Sequence, residues 1–385
     1  MVRRAHLYHS LYGLSKNPFP EHAIAAAGDE SQPFYEALHP DIAANMARAF
    51  VGPANGTGSV AFFWALGNGE DARGYGKTRH LLWFANLVNS DFGQTIARLM
   101  ATSRRHSGIF AIYSGFSTVD GLTLSSLLFD GVRDALVTRS GELIALRNAA
   151  IAKGESPDEI YGRASKLLND SNESWTFDLL WHLCHSSPQD WRSYISVGFR
   201  QWHKVRIGRE MFRSLTAFLR ALGIQRVLVL VDQVEDFANW RTSPFKLKRD
   251  FSRLAYLCIN DTLFRDHITF VLTMHPNAAR VLSWYWDHGS LGPVSTNERQ
   301  GNVVLLRDMR TPQFVEMARA YLDSARSRPA ADTLQPFTVD ALDYVCEREK
   351  GRPGYCLSSL HRLIEAAVDE SVLLIDRDRA ADLLG

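Results

Sequence analysis

The sequence lacks an excess of charge of either sign. Of its 385 residues, 43 are Lys or Arg and 42 are Asp or Glu, so the formal net charge is +1. This balance excludes the strongly basic field that is typical of proteins that coat nucleic acid, although it leaves room for a local basic patch. The hydrophobic share of 46% excludes a mainly disordered chain. At roughly 100–200 residues per domain, the length predicts two or three domains.

Long hydrophobic runs and paired cysteines are also missing. The longest strongly apolar run covers residues 60–67, which is far short of the roughly 20 residues that cross a bilayer. The first residues lack the apolar core of a signal peptide. The four cysteines are scattered without a Cys-x-x-Cys pair, which argues against a disulfide framework and against a zinc ribbon. We therefore expect a cytoplasmic protein without a membrane partner.

Short apolar segments of strand type alternate with helical stretches in the middle of the chain. They lie at 60–66, 109–113, 227–231 and 268–273. Because parallel strands need crossover connections, usually helices, this alternation predicts a parallel sheet covered by helices on both faces. The stretch near 139–202 interrupts the alternation, and we expect it to be a helical insertion.

We expect the chain to have three parts. Residues 1–58 contain many Pro and Gly turns and are expected to form an extended strap that ends in one short helix. Residues 59–310 form the α/β core. Residues 311–385 lose the alternation with strands and are expected to form an all-helical domain, with Thr338 and Asp376 as N-caps of two of its helices.

A glycine-rich segment follows the first predicted strand and leads into a helical run. It ends in Gly74-Tyr75-Gly76-Lys77-Thr78, and this order of strand, loop and helix is typical of loops whose backbone amides bind phosphate. Lys77 would reach the β- and γ-phosphates of a nucleotide, and Thr78 would ligate Mg²⁺. Asp71 stands where such loops have their first Gly, and a glycine-rich turn without a ligand is the alternative. We expect the nucleotide to be bound by Gly74, Tyr75, Gly76, Lys77, Thr78 and Arg79.

The third predicted strand ends in a carboxylate. Asp232 follows the apolar run 227–231 directly, and an Asp at the carboxyl end of a parallel strand can hold the Mg²⁺ of a bound nucleotide. The alternative is a turn residue that ends the strand. Together with Thr78, Asp232 completes the predicted metal ligands.

Hydrolysis needs a group that acts on the attacking water, and three residues after the strand compete for this role. Gln233 occupies the place where a carboxylate usually follows the metal-binding Asp. Glu235 or Asp236 could substitute if a turn brings either toward the γ-phosphate. Alternatively, Gln233 only orients water and turnover is slow. We favour Glu235 as the catalytic base, with Gln233 as the second candidate.

The fourth predicted strand ends in polar residues that could sense the γ-phosphate. Thr273 is the first candidate for this catalytic role and His275 the second, because both fall at the carboxyl edge of the sheet. A buried Thr with a satisfied hydroxyl is the alternative interpretation.

These motifs together resemble AAA+ and related STAND-type ATPases. The opening Tyr12-Gly-Leu-Ser-Lys-Asn-Pro-Phe19 is similar to the Gly-Leu-x-x-x-Pro-Phe openings of bacterial AAA+ ATPases that regulate transposition or secretion. The segment Asp232-Gln-Val-Glu-Asp-Phe237 is similar to a variant found in STAND signalling proteins. The resemblance implies ATP and Mg²⁺ as cofactors, a P-loop NTPase core, a helical C-terminal lid, and an opening segment near the adenine.

The sequence departs from that family in its candidate arginines. Gly351-Arg352-Pro353-Gly354 stands where the family often has a sensor arginine, and Arg352 is the nearest candidate to contact the nucleotide. A finger arginine cannot be assigned, and the region where one would be sought contains Arg280, Arg299, Arg307 and Arg310.

The sequence therefore predicts an AAA+-like switch that binds and hydrolyses ATP. On the resemblance alone, we expect a homo-oligomer that assembles on DNA in a mobile-element or defence system. A STAND-like ATPase that controls a protein effector is the alternative. A nucleotide-locked structural subunit with little turnover also stays open, because Gln233 and Asp71 depart from the usual motifs.

Overall fold

The computed structural model describes most of the chain. The described residues are 2–22, 41–51, 60–65, 74–100, 108–115, 124–168, 174–196, 201–232, 249, 252–253, 256, 260–265, 267–274, 302–327 and 333–385.

The chain divides into two compact units. The first, called here the helical unit, comprises Met1–Ile42, Ala65–His80 and Leu306–Gly385. The second, the sheet unit, comprises Ala43–Trp64 and Leu81–Leu305. Each unit has its own cluster of buried apolar side chains.

In the described part of the chain, the sheet has five strands in the order β2-β3-β4-β1-β5. Their bounds are Val60–Ala65 (β1), Ile109–Gly115 (β2), Arg226–Asp232 (β3), Ile268–Met274 (β4) and Val303–Leu306 (β5). The pairs β2/β3, β3/β4 and β4/β1 are parallel. The four strands predicted from the sequence are confirmed. The fifth strand, β5, was not predicted, because its apolar run has only four residues.

The strands and helices of the sheet unit follow from their apolar patterns. Residues 227–231 are buried throughout, as expected for a central strand covered on both faces. Four helices of the sheet unit fall within the stretch near 139–202 that was expected to be a helical insertion. The helices from α2 to α10 are Ile42–Val51, Lys77–Ser90, Gln94–Leu99, Leu124–Val137, Ser140–Ile151, Pro157–Lys166, Ser174–His185, Pro188–Ser196 and Gln201–Ala221.

Among the residues that the structure describes, the helical unit contains an N-terminal helix and four C-terminal helices. Thr338 and Asp376 are N-caps as predicted, since their side chains accept hydrogen bonds from Ala341 N and Arg379 N. The N-terminal helix was not predicted; it is anchored by Tyr8, whose hydroxyl donates to Glu365. The five helices are Val2–Tyr12 (α1), Thr311–Ala325 (α11), Val339–Arg348 (α12), Pro353–Asp369 (α13) and Arg377–Leu384 (α14).

The predicted fold class is therefore confirmed. The chain has an α/β core with a sheet whose described pairs β2/β3, β3/β4 and β4/β1 are parallel and which is covered by helices, followed in sequence by an all-helical C-terminal domain. Among the helices within the described ranges, none has the length and apolar character needed to span a membrane.

The substitution Gly208→Ala should destabilise the sheet unit. Gly208 lies in α10, and a Cβ placed on it would come within 1.9 Å of the backbone oxygen of Ser125 in α5. Overpacking of this kind costs about 1–3 kcal/mol, and here the obstacle is backbone, which cannot rotate away. We expect a lower midpoint of thermal unfolding, followed by circular dichroism.

Gly162→Ala is the matched control for this prediction. Gly162 is also in a helix, α7, but a Cβ there would meet no heavy atom within 4 Å. Alanine should therefore raise the free energy of unfolding by about 0.5–1 kcal/mol. Equal midpoints for the two variants would contradict the close approach of α5 and α10.

Candidate nucleotide-binding site

The glycine loop has a backbone shape that only glycine adopts readily. Gly74 and Gly76 have φ values of +80° and +78°, in the left-handed region that side chains disfavour. The loop then passes into α3, whose first residue is Lys77. His80 closes the first turn by donating its backbone N–H to Gly76 O at 2.9 Å. The helix α3 therefore begins directly after the two left-handed glycines of the loop.

The first turn of α3 concentrates positive charge where a helix least tolerates it. Lys77, Thr78, Arg79 and His80 form this turn, and none of them is acidic. A helix N-terminus already carries a partial positive charge, so cations there are unfavourable unless an anion neutralises them. Backbone amides at such a terminus also bind phosphate oxygens. This turn is consequently suited to a polyanion.

The side chain of Tyr75 is directed into the helical unit. Its exposed fraction is 2%, and its hydroxyl donates to Asp308 Oδ1 at 2.6 Å. Burial, reinforced by Asp308 and opposed by Arg352, raises the pKa of Tyr75 to about 12, so the phenol is neutral at physiological pH. Because its hydroxyl is already bound to Asp308, Tyr75 would contact a phosphate through its backbone amide.

Arg352 lies beside the same loop. Its guanidinium carbon is 6.0 Å from the ring centroid of Tyr75 and 5.6 Å from that of Tyr355. The backbone N–H of Gly354 donates to Gly74 O at 2.7 Å. The structure thus brings the predicted sensor arginine next to the glycine loop, within the helical unit.

In the sheet unit, Asp232 and Thr273 form a hydrogen-bonded pair. Val231 pairs with Leu272 across β3 and β4, so the next residues of the two strands lie side by side. Thr273 Oγ1 donates to Asp232 Oδ1 at 2.5 Å, and both residues are buried. The predicted metal ligand and the predicted phosphate sensor are therefore in direct contact.

Tyr113 is a neighbour of Asp232 that the sequence analysis did not identify. Its hydroxyl donates to Asp232 Oδ2 at 3.1 Å. Burial and the charge of Asp232 raise the pKa of Tyr113, so this hydroxyl stays a donor. The parallel register pairs Gly115 with Asp232, and Tyr113, two residues before Gly115, lies on the same face of the sheet as Asp232. An alignment of the two strands could therefore have identified Tyr113 from the sequence.

A second carboxylate stands behind Tyr113. Asp134, in α5, accepts the backbone N–H of Tyr113 at 3.0 Å. Burial raises the pKa of Asp134 to about 6, although the hydrogen bond from Tyr113 and the charge of Arg139 act in the opposite direction. The end of β2 that carries the Tyr113 hydroxyl is thereby fixed to α5.

The oxygen donors in these segments suit Mg²⁺. A hydroxyl at Thr78 and a carboxylate at Asp232 are the ligand types that Mg²⁺ takes, usually one or two from protein and the rest from phosphate and water. Among the residues that the structure describes, no group of three or more His, Cys, Asp or Glu could hold a metal without such additional ligands. Thr78 and Asp232 each therefore offer an oxygen of the kind that Mg²⁺ takes when it is bound together with phosphate.

Several predicted residues are not placed by the structure. Gln233, Glu235, Asp236 and His275 lie outside the described ranges, as do Asp71, Arg280 and Arg299. The two other finger candidates, Arg307 and Arg310, are described and exposed. Arg310 also caps α11, since its backbone N–H donates to Gln313 Oε1 at 2.9 Å.

Comparisons with known proteins give structural similarity only. No protein-family model and no curated protein matches the chain. Among solved structures, it is similar to the ORC2 protein of Aeropyrum pernix in ADPNP–ADP complexes, at 12% identity and a TM-score of 0.47, over 89% of this chain and 66% of that one. The ADP form of the same protein gives 11% identity and a TM-score of 0.44, over 89% and 67% of the two chains. The chain thus spans about two thirds of that protein's length.

Proposed function

We propose that this chain is an AAA+-like ATPase that binds Mg·ATP. The observation that carries the proposal is the start of α3, where two left-handed glycines precede a first turn with Lys77 and Thr78 and without an acidic residue. Such a turn offers backbone amides and side-chain cations to a phosphate chain.

The carboxyl edge of the sheet supports the same proposal. β1, the strand that precedes the glycine segment, pairs its Trp64 with Met274 near its carboxyl end, and β3 ends at Asp232. Ligands of open α/β sheets bind outside the carboxyl ends of the strands. Asp232 and Thr273 are therefore at the edge where a nucleotide is expected.

Each residue has one role in this proposal. Lys77 binds the β- and γ-phosphates through its ammonium, and the amides from Gly74 to Thr78 bind phosphate oxygens. Thr78 and Asp232 hold Mg²⁺, which when bound neutralises charge on the phosphates. Glu235 removes a proton from the attacking water, or Gln233 orients it.

The functional parts follow the sequence. In this proposal, residues 1–58 form the strap near the adenine, 59–310 the ATPase core, and 311–385 the helical lid. The strap contains the opening segment, residues 12–19, in which Leu14 and Phe19 are buried. Phe19 stacks on Tyr321 of α11 with ring centroids 5.8 Å apart.

We further propose that ATP controls assembly of several copies on DNA, as in a mobile-element or defence system. This step rests on the resemblance of the opening segment. Light scattering with and without ATP, followed by addition of duplex DNA, tests it. A larger species that forms only with ATP and then retains DNA supports the proposal, whereas copurification of another protein supports the STAND-like alternative.

The substitution Asp232→Asn tests the metal site. It should raise the Mg²⁺ concentration for half-maximal ATP binding by at least ~10-fold, because a carboxylate ligand is replaced by a neutral amide. Stability without nucleotide should change little. Thr273 and Tyr113 contact Asp232 through hydroxyls, which can rotate to accept from the new amide as well as donate.

Asp158→Asn is the matched control for the lost charge. The side chain of Asp158 is 92% exposed and pairs with His185, far from the strand ends in sequence. Asp158→Asn should leave the Mg²⁺ dependence of ATP binding unchanged. If Asp232→Asn unfolds the chain instead, Asp232 is a structural residue and the proposed metal site is wrong.

A further inference from the structure

The carboxylate of Asp232 accepts a hydroxyl hydrogen bond on each of its two oxygens. Thr273 Oγ1 donates to Oδ1 at 2.5 Å, and the Tyr113 hydroxyl donates to Oδ2 at 3.1 Å. The two donors stand on different strands, because β3 lies between β2, which carries Tyr113, and β4, which carries Thr273. The carboxylate is therefore held from both sides, and its rotation would break at least one of these bonds.

Tyr113 reaches Asp232 from a position further back along the sheet. In the register of β2 and β3, Gly115 pairs with Asp232, and Tyr113 pairs with Leu230. Two residues of strand span about 6.6 Å, a distance that a phenol bridges and a serine or threonine hydroxyl does not. Because Gly115 has no side chain, the hydroxyl that β2 offers to Asp232 comes from Tyr113.

The backbone on which each donor stands is fixed by a further contact. The backbone N–H of Tyr113 donates to Asp134 Oδ2 at 3.0 Å, which ties this point of β2 to α5. Thr273 is fully buried in β4, and its partner in the parallel register with β1 is Phe63. The orientation of the Asp232 carboxylate is thus set by strands and a helix rather than by mobile side chains.

We propose that Tyr113 is a positioning residue that makes the nucleotide site selective for Mg²⁺ over Ca²⁺. Mg²⁺ demands a nearly ideal octahedron of oxygens, whereas Ca²⁺ accepts a variable number of ligands in flexible geometry. A carboxylate that is held in one orientation therefore favours Mg²⁺, and a carboxylate that can turn loses this preference. This inference rests on the proposed function, in which Asp232 holds Mg²⁺, and it adds the residue that orients this ligand.

The test compares the affinity of the full-length chain for the non-hydrolysable triphosphate ADPNP under different metal conditions. Titration calorimetry gives dissociation constants with Mg²⁺, with Ca²⁺ and with a chelator that removes both. In Tyr113→Phe, the Mg²⁺ constant should rise roughly three- to tenfold, as expected for the loss of one hydrogen bond. The Ca²⁺ constant should change by less than ~twofold, because that ion tolerates a mobile ligand. The chelator constant should stay the same, so the ratio of the Ca²⁺ constant to the Mg²⁺ constant falls.

Two further variants separate positioning from a general loss of structure. In a chain with Asp232→Asn, the additional change Tyr113→Phe should have almost no effect on the Mg²⁺ constant, because the carboxylate that the hydroxyl orients is absent. Tyr161→Phe is the matched control for loss of a phenol hydroxyl. Tyr161 is partly buried in α7 of the same unit, and its replacement should leave the metal ratio unchanged.

The outcomes separate this inference from the proposed function. If the parent chain does not bind ADPNP, or binds it equally with Mg²⁺ and with the chelator, the proposed Mg·ATP site is wrong and this inference falls with it. If the parent requires a metal but binds equally well with Ca²⁺, the inference alone is overturned. It is also overturned if Tyr113→Phe fails to fold, leaves the metal ratio unchanged, or has an effect that adds to that of Asp232→Asn.

Discussion

Lys77→Ala is expected to abolish ATP binding by the full-length chain. Lys77 is the first residue of α3, the position from which an ammonium reaches the β- and γ-phosphates. Charge-assisted hydrogen bonds to phosphate are among the strongest polar contacts, and losing them at this position should weaken binding by at least ~100-fold. Titration calorimetry with Mg·ATP measures the loss.

Arg79 should not compensate for the missing ammonium. Residues two apart on a helix are separated by about 200° around its axis, so Arg79 leaves the turn in a different direction from Lys77. Lys166→Ala, in the last turn of α7, is the control for removal of a positive charge. If Lys77→Ala binds ATP as the parent does, the assignment of the glycine loop as a phosphate site is wrong.

The inner strands of the sheet could be predicted because each is a continuous apolar run. Residues 227–231 alternate Val and Leu and are buried on both faces, a pattern that few helices share. By contrast, β5 has only the four residues Val303–Leu306, which is too short for a period to be recognised. The helix α1 was missed because its two buried tyrosines, Tyr8 and Tyr12, read as polar positions in the sequence.

The residues of the candidate site could likewise be predicted only in part. The glycine loop and Asp232 follow from local spacing, because strand, loop and helix are consecutive in the sequence. Tyr113 and Asp308 were not found, because each meets its partner through contacts more than 100 residues apart in the chain. Such partners depend on strand register and on the packing of a helix turn, which spacing alone does not determine.

Glu235 is the first candidate for the residue that acts on the attacking water. If Glu235 is the base, Glu235→Gln should lower the ATP hydrolysis rate by roughly 10²–10⁴-fold and leave ATP affinity unchanged, as expected for loss of a general base. Lys77 and Thr78 of the proposed phosphate site are unchanged in that variant, so ATP affinity is the internal control. Steady-state phosphate release gives the rate.

Gln233→Glu is the opposite test, because it restores a carboxylate directly after Asp232. If Gln233 only orients water in the parent chain, Gln233→Glu should raise turnover and Glu235→Gln should change it little. A decrease in Glu235→Gln with no gain in Gln233→Glu assigns the base to Glu235. Unchanged rates in both variants reject both residues. The β3 end would then bind Mg²⁺ without supplying a base, as in a slow switch or a site completed by a neighbouring subunit.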